Sequence, residues 1–596
     1  MPLQTTSGLA AAILLAAAGP VSAQTVTVTI GEDIVDIDWQ YATIEDLPGP
    51  DGEVSFSEAM IATNNTPGHQ TVGFAIPEDQ WLLQFLYPGR AVLVTSTGYF
   101  FRAFDEVTID GTTQTAFTGD TNPDGWEVVI YGATLYLNAD NCTLIGFDST
   151  AVSINGSNGR VEGNTGFMGI DVYGGSGSLI KDNTGGTIKI DRSNDNVVVG
   201  NTVQRVRVWG FNSDQQAANN RIGGPNPEDR NYIIGYGTWN GEGLPGGTTV
   251  QLFQTTGTII ENNWIGTTPD GLAQGSLAST VGIGFESGNN NITIRNNRIA
   301  GILGHGQGPH HYGELYGWAI LIGGAGSGVN IVGNTIGLDA NDEPTLGSVW
   351  GIDVGNVITN PSTMTDINIG GLLPGEGNAV AGHILNGITI GHDVPQVRIS
   401  GTAVYENGWL GIDLIPSGYG YGVNANDAFD ADTGGNGLQN FPEIDSAVRE
   451  GGSVRVTGTL HSEPSSDYTI EFFASPACDD SGFGEGRQFL GSTYVTTDAD
   501  GNATFDVLLP GLVDDGWVMT ATATAEPLGA TSEFSACIEV TGQSTPGDVN
   551  NDGVVDIDDI FAVLNAWGAC DACPEDVNGD GLVDIDDIFE VLANWG

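Results

Sequence analysis

The sequence predicts a mainly β fold in three successive parts: a parallel β-helix, an Ig-like β-sandwich, and a small α-helical module carrying two acidic loops. Three observations predict it. Gly supplies 90 of the 596 residues and charged residues only 15%, which suits a β-rich chain with many tight turns. Between about residues 105 and 415 a strand repeatedly ends in Asn and restarts after a turn. Residues 547–596 hold two copies of an Asp/Asn/Gly-rich loop, each followed by an apolar-periodic run.

The Asn repeat carries the first part. Examples are Val198-Val199-Gly200-Asn201-Thr202-Val203, Ile260-Glu261-Asn262-Asn263-Trp264-Ile265-Gly266, Ile294-Arg295-Asn296-Asn297-Arg298-Ile299 and Ile331-Val332-Gly333-Asn334-Thr335-Ile336-Gly337. Asn263 and Asn297 lie 34 residues apart, Asn297 and Asn334 37. A repeated turn with inserted loops is implied, rather than a strict array. Aligned Asn side chains can stack into a hydrogen-bonded ladder while Val and Ile stack inside, so each coil buries its apolar face against its neighbours. A second element, Gly-Ile-Asp-Val/Leu, recurs at 169–172, 351–354 and 411–414. Strand alternation points its Ile inward and Asp171, Asp353 and Asp413 outward. A row of such carboxylates could hold calcium against an acidic polysaccharide. Gly284, Leu321 and Thr389 occupy the aligned position in other strands, which breaks the row.

Ahead of the repeat, Thr25–Ile30 alternates as a strand. Ser55 followed by Glu58 forms a capping box before a short helix, and Thr71–Ile76 reads as the next strand. Behind the repeat, alternating runs at Ser453–Leu460, Tyr468–Ala474, Ala503–Leu508 and Val518–Ala525, with turn signals between them, predict the sandwich. The expected organisation is a signal peptide over 1–23, a cap with first coils over 24–104, and the β-helix over 105–445. The sandwich follows over 446–541, a linker over 542–546, and the calcium-loop module over 547–596.

The signal peptide rests on the apolar run Leu9–Ala18 and the small residues Val21-Ser22-Ala23 before Gln24. It predicts export to the medium or the cell surface. The run is too short to span a bilayer, and no later transmembrane segment is expected. Acidic residues number 74 against 16 basic ones, for a net charge of −58. Such a surface repels nucleic acid and anionic membranes and attracts divalent cations. Export allows Cys478 and Cys537 to pair. Cys570 and Cys573 read as a local staple or as free thiols, and Cys142 as a buried small hydrophobe.

The strongest chemistry lies at the end. Calcium needs six to eight oxygens, and a twelve-residue loop supplies them from positions 1, 3, 5, 7, 9 and 12. In the first copy these are Asp548, Asn550, Asp552, the Val554 carbonyl, Asp556 and Asp559. In the second they are Asp576, Asn578, Asp580, the Leu582 carbonyl, Asp584 and Asp587. Gly553 and Gly581 fill the sharp turn at position 6. Ile560, Leu564 and Trp567 share one face of the following helix, as do Ile588, Leu592 and Trp595.

These duplicated loop-plus-helix units resemble type I dockerins, and the resemblance implies docking onto a cohesin-like or cell-surface protein. Positions 10 and 11, often Ser-Thr in that family and facing the cohesin, are Ile557-Asp558 and Ile585-Asp586 here. Residues 70–445 resemble right-handed parallel β-helix proteins of the pectate-lyase-like superfamily, and among them large bacterial surface proteins. The run Val54–Ala59 resembles the cap of that surface family through Ser55, Glu58 and Ala59.

Two further candidates stand apart. The loop Gly304–Trp318 gathers His305, His310, Tyr312, Tyr316 and Trp318, with His311 and Glu314; these suit possible sugar contacts, a metal site through His and Glu, or an ordinary inserted loop covering the side of the β-helix. Its Gly304-His305-Gly306 resembles a polygalacturonase motif but lacks that family's Asp cluster and Lys. Asp427, Asp430 and Asp432 suit either an ion capping the last coil or a polar turn. The expected function is a secreted or surface protein binding glycan or matrix partners with calcium-dependent docking. The alternative is a polysaccharide lyase or O-glycosyl hydrolase docked through the same module.

Overall fold

The structure is a computed structural model that describes residues 24–94, 101–148, 150–235, 247–276, 279–305, 315–355, 362–418, 420–450, 452–511, 513–514, 516–542, 547–550, 554–570 and 573–595. The proposed signal peptide and residues 543–546 of the linker lie outside these. The chain divides into two compact units, Met1–Thr150 and Ala151–Gly596.

In the first unit, strands Gln24–Val28, Gln70–Phe74, Val107–Asp110 and Thr143–Ile145 stack in parallel. A second parallel stack is Ala91–Val94, Val128–Tyr131 and Phe147–Asp148. Helix Phe56–Asn64 begins at the expected capping box: Ser55 Oγ accepts from the Glu58 amide, and Glu58 accepts from the Ser55 amide. Phe56 then packs against Phe74 and Phe101, and Phe74 against Phe147. The free thiol of Cys142 is buried as expected.

The second unit opens with a parallel β-helix. One sheet stacks Arg160–Glu162, Leu179–Lys181, Val197–Val199, Arg221–Ile222, Ile259–Glu261, Asn289–Arg295, Gly324–Val332, Ser362–Gly370 and Val397–Ser400. A second runs in register through Ile170, Ile188, Val206, Val250, Ile283, Ile320, Ile352, Ile388 and Ile412, all of them buried. Like side chains thus repeat at one inward position on successive rungs, roughly 4.8 Å apart, and make a continuous apolar column.

The turn between the first sheet and the next strand holds the Asn ladder. Nδ2 of Asn164, Asn183, Asn201, Asn231, Asn263, Asn297 and Asn334 each donates to Oδ1 of the next Asn at 2.8–3.0 Å, ending on Asn378. The residue before several of these Asn adopts a left-handed φ: Gly163, Asp182, Gly200, Asn262, Asn296 and Gly333. That is why Gly, Asn or Asp precedes the ladder residue in the sequence. Successive ladder residues are separated by 18 residues at the narrow end and 44 at the wide end. The ladder keeps its geometry while inserts lengthen the coils elsewhere.

Two four-stranded sheets follow. Asn502–Pro510, Ser453–His461, Glu443–Glu450 and Thr541–Gly542 form one; Gln488–Thr496, Asp467–Ser475, Val518–Glu526 and Ile538–Glu539 form the other. Their inner faces share one core around Val456, Tyr468, Phe472, Phe505 and Met519. Cys478 and Cys537 are bonded, as are Cys570 and Cys573. The sandwich closes the open end of the β-helix with three glutamates. Glu471 accepts from the Gly401 amide, Glu485 from the Asn407 amide, and Glu533 from the Leu414 amide. A final coil has no next rung to take its amides, and these carboxyls take that place. A bidentate Arg398–Glu526 pair adds to the junction. No described helix is long and apolar enough to cross a membrane.

Candidate functional site

Two regions carry chemistry, and the first is the pair of acidic loops. Asp552 lies outside the described residues, as do Asn551 and Gly553. In the second loop, Asp576 Oδ1 and Oδ2 accept from the amides of Asp580 and Gly581, and Asn578 Oδ1 accepts from Asp580. Asp587 Oδ1 and Oδ2 accept from the amides of Asn578 and Asp584. Asp559 does the same for Val549, Asn550 and Asp556. Asp559 and Asp587 are fully buried, an unfavourable place for an ionised group without strong partners. The donor set is all oxygen, which fits a hard cation. The carboxylates are spread around the loop: among the described residues, three acidic groups come within 4.8 Å of one another only at Asp427, Asp430 and Asp432.

The helices leaving the loops, Ile557–Asn565 and Ile585–Ala593, pack differently from the expected single face. Val563 and Val591 are the buried centre, with Val549, Val555 and Val583, and Ile560 and Ile588 pack against them. Leu564, Trp567, Leu592 and Trp595 are exposed, together with Ile557, Phe561, Ile585 and Phe589. Each helix therefore presents the same outward apolar stripe, spaced i, i+4, i+7. A stripe repeated on two units of one module is larger than scattered surface residues account for.

The second region is a lateral face of the β-helix that sequence reading missed. On the sheet through Phe167–Tyr173, Thr184–Asp191, Thr202–Trp209 and Thr248–Phe253, Asp171, Lys189, Arg207 and Gln251 share one outward row. Tyr173, Asp191, Trp209 and Phe253 share the next. The Arg192 guanidinium lies 4.3 Å from the Tyr173 ring centre and 5.6 Å from that of Phe211, and Arg207 lies 4.7 Å from Trp209. Trp209 and Phe253 have centroids 4.5 Å apart. Tyr173 is 45% and Phe211 63% exposed. Asp191 is held by Lys189 at 2.7 Å and Arg192 at 3.0 Å. Desolvation among these crowded rungs pushes the Asp171 carboxyl up; Lys189 and Arg207 oppose the rise and Asp191 adds to it. A signal was present in the sequence. Lys189, Arg192, Arg205 and Arg207, four of only sixteen cations in the chain, fall between residues 189 and 207.

The carboxylate row needs correction further along. The register does align Gly284, Leu321, Asp353, Thr389 and Asp413 on the outward row, but Asp353 and Asp413 are covered and buried rather than exposed. Trp318 Nε1 donates to Asp353 at 3.3 Å. Asn386 Nδ2 donates to Asp413 at 2.7 Å, and burial pushes the Asp413 carboxyl up to about 6.

Trp318 is also corrected as a sugar contact. It is 3% exposed and stacked on Trp350 at 5.0 Å, so its ring is core. Gly304–His305 pairs with Leu315–Tyr316 as a short antiparallel ribbon. His310 and Tyr312 lie outside the described residues, as do the side chains of His305 and Tyr316. In the acidic trio, Asp430 accepts from the Asn440 amide and from Ser462 Oγ, and Asp427 from the Ala431 amide. Asp430 thus ties the end of the β-helix to the sandwich, and burial raises it to about 6.

No protein-family model matches the chain, and no curated protein matches it. Among solved structures it is similar to the catalytic domain of GH87 alpha-1,3-glucanase in complex with nigerose, at 11% identity and a TM-score of 0.30, over 66% of this chain and 66% of that one. It is also similar to full-length tailspike protein 2 from Escherichia coli O157:H7 bacteriophage CAB120, at 10% identity and a TM-score of 0.18, over 80% of this chain and 65% of that one. The chain spans just under two thirds of the length of each. Likenesses this distant carry no argument, and the β-helix rests on the chain's own registers and ladder.

Proposed function

We propose that this chain is an exported β-helix protein that binds polysaccharide across the lateral face around Tyr173, Trp209, Phe211 and Phe253. We further propose that its terminal dockerin-like module, loaded with calcium, docks it onto a cohesin-like or other surface protein. One observation carries the first part: the exposed rings of Tyr173 and Phe211 and the half-buried rings of Trp209 and Phe253 lie among guanidinium and carboxylate groups on neighbouring rungs and at the strand end. Aromatic faces stack on the apolar faces of sugars, and the flanking ionic groups offer donors and acceptors to hydroxyls.

Calcium would be held by Asp576, Asn578, Asp580, the Leu582 carbonyl, Asp584 and Asp587, and by their counterparts from Asp548 to Asp559. Bound calcium would neutralise the crowded carboxylates and fix each loop against its helix. The duplicated stripe of Ile557, Phe561 and Leu564, and of Ile585, Phe589 and Leu592, supports docking. It also suits a partner surface more apolar than one that reads a Ser-Thr pair.

A second reading has its own support. Asp171 and Asp191 sit among Lys189 and Arg207, a grouping that can abstract or deliver protons. Polysaccharide cleavage at this same face is the enzymatic alternative. Both are tested with a panel of soluble plant and algal polysaccharides and calcium-loaded protein. Retardation of the protein in polysaccharide gels without new reducing ends or unsaturated sugars is the expected result. Release of either product establishes the enzymatic reading, and absence of both retardation and release removes the polysaccharide role.

A further inference from the structure

A concavity lies away from the lateral face, where the last coil meets the sandwich. It measures about 840 Å³, within the range of small-ligand sites. One wall is Tyr405 to Leu410 with Tyr421 to Val423, and the other is Ser475 to Ser481. The Cys478–Cys537 bond anchors that second wall to the sandwich. Trp409 and Tyr421, 45% and 49% exposed, meet at 61° with centroids 5.6 Å apart and form an aromatic corner.

The polar groups are mostly acceptors. Glu406, Asp413, Asp479, Asp480 and Glu485 line the pocket against one cation, Arg487. That guanidinium is already taken up, 2.5 Å from Glu406 and 4.7 Å from the Tyr405 ring centre. Asn386, fully buried, also lines the pocket; its Nδ2 is bonded to Asp413 while its Oδ1 has no donor. A buried acceptor without a donor is costly. An anionic sugar would add like charge to this wall. A neutral sugar would draw nothing from the net negative charge of a wall that holds five acidic groups and one cation. An ammonium group offers three donors and no acceptor, and it is attracted both to carboxylates and to aromatic faces.

We propose that the pocket between the last coil and the sandwich binds an oligosaccharide bearing free amino groups, with its sugar rings against the Trp409–Tyr421 corner and an ammonium toward Asn386 and its neighbouring carboxylates. This site is separate from the lateral face, and its test does not depend on that reading.

The experiment is calorimetry of the full chain with glucosamine oligomers, their N-acetylated counterparts and cello-oligosaccharides of equal length. Binding of the glucosamine oligomer at least ten-fold tighter than either other oligomer is expected. Trp409→Ala, an exposed change that leaves the fold intact by its melting curve, should weaken it at least ten-fold. Asp413→Asn should weaken it as well; should that variant fail to fold, the Trp409 result decides. Equal affinity for the acetylated or neutral oligomers would overturn the assignment of the amine. Binding unchanged in Trp409→Ala would show nonspecific attraction to an acidic protein and overturn the site, and so would no binding.

Discussion

Replacing Asn263 by Ala should cost far more than a surface substitution of the same kind. Asn263 is fully buried. Its Nδ2 donates to the Ile222 and Glu261 carbonyls at 2.9 Å and to Asn297 Oδ1 at 3.0 Å. Its Oδ1 accepts from Nδ2 of Asn231 at 2.9 Å and from the Asn231 amide at 3.3 Å. Five bonds at roughly 0.5–1.5 kcal/mol each, discounted because one amide has two hydrogens for three acceptors, give about 3–5 kcal/mol. The orphaned Asn231 N–H has no route to water. The assay is a urea transition of the full chain followed by tryptophan fluorescence, since Trp264 follows the ladder residue directly. Asn330→Ala is the control: Asn330 is exposed and its bond to Asn368 is solvent-facing, so about 0.5 kcal/mol or less is expected. Equal midpoints for the two variants would refute the claim that the ladder holds the coils together.

Other outcomes follow from the same structure. Burial pushes Glu485 up from 4.5 to about 7 and Glu533 to about 8. Both pKa values are raised on folding, so the stability they contribute is present below pH 4.5 and is lost as pH rises through 7 and 8. For Glu485 alone the loss amounts to about 3 kcal/mol, and melting curves between pH 5 and 9 should show the decline and its flattening in Glu485→Gln. Chelation of calcium should abolish the far-UV helical signal of the terminal module, and Asp587→Ala should lower calcium affinity by at least ten-fold in titration calorimetry. With a docking partner in hand, Phe561→Asp or Phe589→Asp alone should leave binding within a few-fold, while the double variant should abolish it.

The parts of the fold legible in the sequence are those where one residue type must recur at one place. The ladder shows because Asn closes eight successive turns in the same way, and because the preceding position has a left-handed φ in six of them. The two acidic loops and their exit helices show because Asp, Asn and Gly recur at the same spacing in both copies. The Glu471, Glu485 and Glu533 caps stayed hidden, since each is a lone acid within or beside a strand and its partner amide lies 70 or more residues away. Trp318 read as a sugar contact because its burial depends on Trp350, supplied by the next rung. The lateral face was missed for a similar reason. Tyr173, Trp209 and Phe253 come together through the register, and the inserts that set that register have no pattern of their own.

The lateral face is best judged by affinity electrophoresis of the calcium-loaded chain and its Tyr173→Ala/Phe211→Ala variant across the polysaccharide panel. Both side chains are exposed, so the variant should keep the parent melting temperature within about 2 °C. Retardation by at least one polysaccharide, reduced ten-fold or more in the variant, is the predicted result. Equal retardation of a folded variant and its parent would place glycan binding elsewhere on the molecule and contradict the assignment of this face.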